Sequence, residues 1–254
     1  MTTNVYDAAS GTLICDSRWT IEATQAGKDF DIYVDDPGFE KLALNDKHVF
    51  MFAGRADMIE LWKEYIATNP TDGKGSPGLN GIAVLIAKKG SHDIEFQYGH
   101  TIVNKFWPDG SRTISSFAGT GGNHAAYTWT CTKDLDCAME NAFECDPCSG
   151  GEIKFFNTVS NDGRVGECQG KESIFLAAKE RGVVMYYKHQ KFGMPSITEV
   201  PIQQAAAKDP EVQDVIEQLA VGRIDFVAPC ESMYATPSLQ DEQELEKALD
   251  RIFA

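Results

Sequence analysis

The order of the short apolar runs restricts this chain most tightly: strand-like runs come in blocks, helical stretches separate the blocks, and strict strand–helix alternation is absent. Residues 3–6 and 12–15 flank Gly11 and predict an opening hairpin. Residues 30–34 and 39–44 flank Asp35-Asp-Pro-Gly38, where Pro and Gly stand as a tight reversal requires, and predict a second hairpin. A buried-strand run over 49–53 stops at Gly54. A helix over 56–67 follows, with Met58, Leu61, Trp62 and Tyr65 spaced as one apolar stripe. After a Pro, Gly, Asp and Ser-rich loop over 69–80, strands are predicted at 82–87, 94–98, 101–106 and 112–117, with a turn at 108–110. Helices at 123–130 and 134–144 precede a strand at 152–156. This pattern points to a layered α+β fold rather than a doubly wound one.

Further on, a helix is expected at 173–181 and a strand at 183–187. Residues 191–254 carry 12 acidic and 5 basic side chains and predict two amphipathic helices. One starts at Pro210 behind the cap Asp209, with Val212, Val215, Ile216 and Leu219 on one face. The other follows a capping-box pair, Ser238 and Asp241, and carries Leu245, Leu249, Ile252 and Phe253. The expected division is a main unit over 2–190 and an acidic, mostly helical extension over 191–254.

Charge and composition remove several classes of function. The net charge is −15 and the longest basic run is Lys88-Lys89, which argues against binding nucleic acid. No apolar run approaches the roughly 20 residues of a membrane span, and the opening lacks the basic-then-apolar pattern of a secretion signal. A cytoplasmic protein without membrane contact is expected. Seven cysteines, an odd number, read as reduced thiols. Cys145-Asp-Pro-Cys148 has redox or zinc-like spacing, but nothing nearby completes a metal site, so neither metal nor cofactor is expected.

The chemistry starts at Met1-Thr2-Thr3. A small second residue permits removal of Met1, which leaves Thr2 with a free α-amine beside its own hydroxyl. Such a residue holds both nucleophile and base, because an α-amine with a pKa near about 8 is partly neutral at pH 7.

Further segments stand in register with that start. Thr2-Thr-Asn-Val is followed by Gly11-Thr-Leu-Ile-Cys-Asp16-Ser-Arg18-Trp-Thr20, then by Lys41-Leu at a strand end and by Phe52-Ala-Gly54-Arg-Ala-Asp57. Gly119-Thr-Gly-Gly-Asn123 and Asp146-Pro-Cys-Ser149-Gly-Gly151 complete the series. With these motifs the chain resembles the proteasome β-subunit and HslV family of N-terminal threonine hydrolases over about residues 2–157. The resemblance implies a four-layer αββα sandwich of the N-terminal nucleophile hydrolase type, and a threonine-type endopeptidase.

In that reading Thr2 attacks the peptide carbonyl, Lys41 is an ammonium that favours the deprotonated hydroxyl, and Asp16 orients and neutralises Lys41. The Gly54 N–H donates to the oxyanion. Asp146 and Ser149 bond around the α-amine and hydroxyl of Thr2, with Thr120 standing where the family often has serine. The stretch 17–20 forms an edge to which an extended substrate adds as a strand at Thr20. Trp19 and Phe52 fall near the first specificity pocket.

The family's second long helix has no room in the 69–80 loop, which puts a standard double ring in doubt. The implied partners are a peptide or unfolded protein substrate and further copies of the chain in a ring. No Walker-type loop is present, so any ATP dependence belongs to a separate unfoldase ATPase. Two other readings stay open: a non-catalytic, ring-forming assembly component, and an amidase acting on a small-molecule amide.

Overall fold

The computed structural model describes residues 2–107, 110–166, 169–188 and 196–253. The expected turn at 108–110 and the 190/191 boundary fall partly or wholly outside them, as does Met1.

The chain begins with β1 (Asn4–Asp7), β2 (Thr12–Cys15), β3 (Trp19–Ile21), β4 (Phe30–Val34), β5 (Leu42–Leu44) and β6 (His48–Arg55). Helix α1 (Ala56–Ala67) leads through a loop to β7 (Ile82–Lys88), β8 (Ile94–Tyr98), β9 (Thr101–Phe106) and β10 (Arg112–Ala118). Helices α2 (Gly122–Thr132) and α3 (Leu135–Cys145) precede β11 (Lys154–Asn157), β12 (Asp162–Arg164), α4 (Glu172–Arg181) and β13 (Val183–Lys188). The last elements are β14 (Ser196–Pro201), α5 (Ile202–Ala206), α6 (Pro210–Ala220), β15 (Val227–Ala228) and α7 (Leu239–Phe253).

Among the described residues the strands form two large antiparallel sheets, which places the chain in the α+β class. The first sheet runs β12-β11-β2-β1-β10-β9; the second runs β14-β13-β4-β3-β15-β6-β7-β8, with β5 added to β6. Side chains alternate across each sheet, and this period of two builds three cores. Val5, Ile14 and Phe117 of the first sheet pack with Ala125, Trp129 and Met139 of α2 and α3. The neighbours Tyr6, Leu13 and Cys15 point the other way, onto Val49, Met51 and Leu85 of the second sheet. Phe50 and Phe52 leave the opposite face of that sheet and join Trp62, Ile174, Val212 and Leu249 from the helices.

Local chemistry explains the parts that match expectation. Asp7 closes the first hairpin by accepting from the Ser10 N–H at 3.1 Å, and the Gly11 N–H donates to the Asp7 carbonyl at 2.9 Å. Asp209 caps α6 through the Glu211 N–H at 3.0 Å. Ser238 and Asp241 form a reciprocal capping box: the Ser238 N–H donates to Asp241 at 2.8 Å and the Asp241 N–H to Ser238 Oγ at 3.2 Å.

Three expectations are corrected. The segments 30–34 and 39–44 are not a hairpin: β4 pairs with β3 and β13, and β5 pairs with β6. Phe39 instead packs its ring 5.2 Å from Trp19 and accepts the Trp19 indole N–H, while Lys41 turns inward. The buried face of α1 is Ile59, Trp62 and Ile66; Leu61 is 48% exposed, so the stripe lies one step round the helix from the predicted one. The stretch 17–20 offers no free edge, because β3 is flanked by β4 and by β15.

Residues 196–253 do not pack as a separate appendage. β14 extends the second sheet, β15 sits inside it, and Leu245, Ala248, Leu249 and Ile252 of α7 enter the core beside α1. Tyr65 meets Phe253 edge-on at 5.6 Å. The 69–80 loop, which holds no helix, is tied to α7 by the Gly73 N–H on Asp250 at 2.8 Å and the Leu79 N–H on Glu242 at 3.1 Å. Among the described residues no helix is long and apolar enough to cross a membrane.

Candidate active site

Thr2 lies just before β1, Asp16 just after β2 and Lys41 just before β5, so three chain segments deliver one cluster. The Phe52 N–H of β6 donates to the Lys41 carbonyl at 2.9 Å, which fixes the lysine backbone against the second sheet. The Lys41 ammonium then donates to Thr2 Oγ1 at 2.5 Å and to Asp16 Oδ1 at 2.7 Å. Thr2 Oγ1 in turn donates to Asp16 Oδ1. All three side chains are buried, with Lys41 1% exposed and Thr2 and Asp16 0%. A buried ion pair is tolerated only when its remaining lone pairs are satisfied. Asp16 meets that condition by accepting the Thr3 N–H at 2.9 Å on Oδ1, and the Gly150 N–H at 3.2 Å and Arg18 N–H at 3.3 Å on Oδ2. The Trp19 ring closes one side, its centroid 5.6 Å from Lys41 Nζ.

A second polar cluster adjoins the first. Ser149 Oγ donates to Asp146 Oδ2 at 2.7 Å, and Thr120 Oγ1 donates to the same oxygen at 3.1 Å. The link to the N-terminal segment runs through Thr3, whose Oγ1 is 2.7 Å from Ser149 Oγ. These bonds surround Thr3, the neighbour of Thr2. Gly119, at φ +83°, packs on the Thr2 carbonyl, where a Cβ would collide with the oxygen. The Gly121 N–H donates to that carbonyl at 3.2 Å.

The structure thus brings Thr2, Asp16, Lys41, Thr120, Asp146 and Ser149 together. The remaining predicted residues sit in strands β3 and β6. Trp19 and Phe52 are fully buried in the helix-side core and line no open pocket. Thr20 is buried in β3 opposite Tyr33 and Val227. Gly54 lies in β6 opposite Ile82 and Ala228, at φ +120°. A Cβ there would fall on the Gly81 carbonyl and 2.7 Å from Ile82 Cα, so backbone approach alone requires the glycine.

Thr3 and Gly150 are contacts that sequence reasoning missed. Both are short residues beside a motif residue, and only the fold shows which of their atoms are used. Arg18 is the anchor of the 146–151 turn. Its guanidinium makes a bidentate pair with Asp35 at 2.7 and 2.9 Å, donates to the Pro147 carbonyl at 2.5 Å and lies 3.7 Å over the Tyr33 ring.

Chemically, a hydroxyl held between an ammonium and a carboxylate can lose its proton and attack an electrophile while the ammonium balances the charge. The nearby thiols do not compete for this role. Burial pushes Cys15 and Cys148 upward from the ordinary thiol range, and the thiol rather than the reactive thiolate is then favoured. Among the described residues no group of three or more His, Cys, Asp or Glu side chains could hold a metal ion. No protein-family model matches the chain, and no curated protein matches it in sequence.

Proposed function

We propose that the chain is a threonine-type N-terminal nucleophile hydrolase, similar to proteasome β-subunits and HslV, which cleaves peptide amides. The observation that carries this reading is the buried contact of Thr2 Oγ1 with the Lys41 ammonium at 2.5 Å, itself paired with Asp16 at 2.7 Å. A scaffold has no physical need to bury an ammonium against a hydroxyl. The three successive cores, helix–sheet, sheet–sheet and sheet–helix, support an αββα sandwich of the same type.

In the proposed reaction residue 1 is removed first, which frees the Thr2 α-amine. The amine takes the hydroxyl proton as Oγ1 bonds to the substrate carbonyl carbon, and the carbonyl π pair moves to oxygen. Collapse of that oxyanion breaks the C–N bond; the amine's proton passes to the leaving nitrogen, and the acyl group stays on Oγ1 as an ester. Water, deprotonated by the same amine, hydrolyses the ester and restores Thr2. Lys41 holds positive charge beside the oxygen throughout, and Asp16 keeps the buried charge balanced. Thr3, Ser149, Asp146 and Thr120 form the polar wall next to the amine.

The preference for peptides or unfolded protein over a small amide rests on the family resemblance, as do a ring of like subunits and a separate ATPase. One observation favours a competing reading, a non-catalytic assembly component: Thr2 has no exposed surface. Substitution separates the two. Thr2→Ala lowers turnover of fluorogenic peptides at least about a thousandfold with an unchanged circular dichroism spectrum; wild-type turnover in that variant excludes Thr2 as nucleophile.

A further inference from the structure

In the second sheet β15 lies between β3 and β6, with Val227 opposite Thr20 on one side, and Val227 and Ala228 opposite Arg55 and Gly54 on the other. Two residues from late in the chain therefore join two separate halves, β14-β13-β4-β3 and β6-β7-β8. With β15 lifted out, β3 and β6 become facing edges two strand spacings apart, roughly 10 Å. A gap of that width accepts one extended peptide, antiparallel to both edges.

The gap leads to the Thr2 cluster. Phe52 of β6 bonds both the Lys41 backbone and, through its carbonyl, Asn4 Nδ2 at 2.9 Å. Cys230, just past β15, is buried among Ala53 of β6, Ala83 of β7 and Ala118 of β10. Ala118 precedes Gly119, the residue packed on the Thr2 carbonyl. The segment thus runs beside the end of β6 whose Phe52 bonds Lys41 and Asn4.

We propose that residues 224–230 are an intramolecular strand seated in the substrate slot, so that the hydrolase is latent until this arm leaves. The inference rests on the proposed peptidase function. The arm is built to be short. Pro229 has no N–H to continue the pairing, so β15 stops after two residues. Beyond the sheet it is held by the buried Phe226 and Ala228 side chains in the helix-side core, by the Phe226 carbonyl accepting the Ala56 N–H at 3.0 Å, by the part-exposed pair Lys171–Asp225 at 3.1 Å, and by Tyr234 donating to Glu22. Exposed links bound it at Val221–Arg223 and around Thr236, so its opening would strain neither α6 nor α7. Val227 also borders an open cleft of about 870 Å³, which leaves that side unobstructed.

The test locks the arm. Val227 and Arg55 are direct antiparallel partners, a spacing that suits a disulfide, so the double variant Arg55→Cys with Val227→Cys cross-links arm to slot on oxidation. The readout is the rate at which a peptide epoxyketone adds to Thr2, followed by peptide mapping, with single-cysteine variants as controls. The oxidised double variant is expected to label at least about tenfold more slowly than the same protein reduced, and Val227→Pro about tenfold faster than wild type. Labelling at the reduced rate with the cross-link verified by mass overturns the arm and leaves the peptidase reading standing. If no form labels, the peptidase reading fails instead, and hydrogen exchange judges the arm alone. Faster exchange of Thr20 and Ala228 amides than of the β6–β7 amides supports an opening arm; exchange of both sets only at the rate of global unfolding overturns it.

Discussion

Lys41 carries a heavy energetic demand, because its charge is buried. Its ammonium is fully buried, and among the described residues Asp16 is the carboxylate within ion-pair distance. Removing one member of such a pair strands the other's charge. Lys41→Met should therefore lower unfolding free energy by about 3–5 kcal/mol, while the double variant Asp16→Asn with Lys41→Met loses clearly less, as read by urea denaturation. Equal losses would mean that the two charges are not coupled. The residues of this cluster were legible through the family resemblance, each standing in a short motif matched in register. The connection of Ser149 to Thr3 rather than Thr2 was not, because it depends on which of two adjacent hydroxyls faces the turn. Trp19 and Phe52 were misplaced for a related reason: strand alternation sends them to the helix-side core, and a motif does not report its face.

Among the elements, turn chemistry was read well and long-range pairing poorly. The β1–β2 hairpin is set by Asp7 and Gly11 within a few residues. The segment 39–44 has an equally good turn before it, yet Phe39 packs against Trp19, rings tilted at 46°, and β5 pairs with β6 instead of β4. β15 was invisible, since two residues without a periodic pattern pair with strands far away in sequence. Helix α1 shows what periodicity leaves open, because stripes one step apart fit the same spacing. The difference can be measured: Leu61→Ala should stay within about 0.5 kcal/mol of wild type. By contrast Leu249→Ala in α7, fully buried beside α1, should cost about 2–5 kcal/mol.

Taken together, the described residues form one layered body into which the acidic C-terminal segment is built. Its helix α7 covers the face beside α1 over a loop that holds no helix, and its strand β15 completes the second sheet. Composition marked this segment as different; contacts of its apolar residues decide that it is integral. The same body has an acid liability. His100 directs Nδ1 to the Tyr98 carbonyl and buries Nε2 without a partner among the described residues, and burial lowers it to about 4. Burial also lowers His48, near Glu95, Lys88, Lys47 and Lys89. Between pH about 6.5 and 4 the unfolded chain binds protons that the native state refuses, so stability should fall on acidification through this window. His100→Gln should flatten that fall in thermal melts; an unchanged slope would remove His100 from the explanation.

The proposed activity stands or falls on the chemical state of one residue. Mass mapping of protein treated with a peptide epoxyketone, which bonds to both amine and hydroxyl of an N-terminal threonine, reads that state. The account predicts a single adduct on Thr2 in chains that have lost residue 1, and none in Thr2→Ala. Peptide-hydrolysing protein that retains residue 1, or that carries its adduct on another side chain, would contradict it.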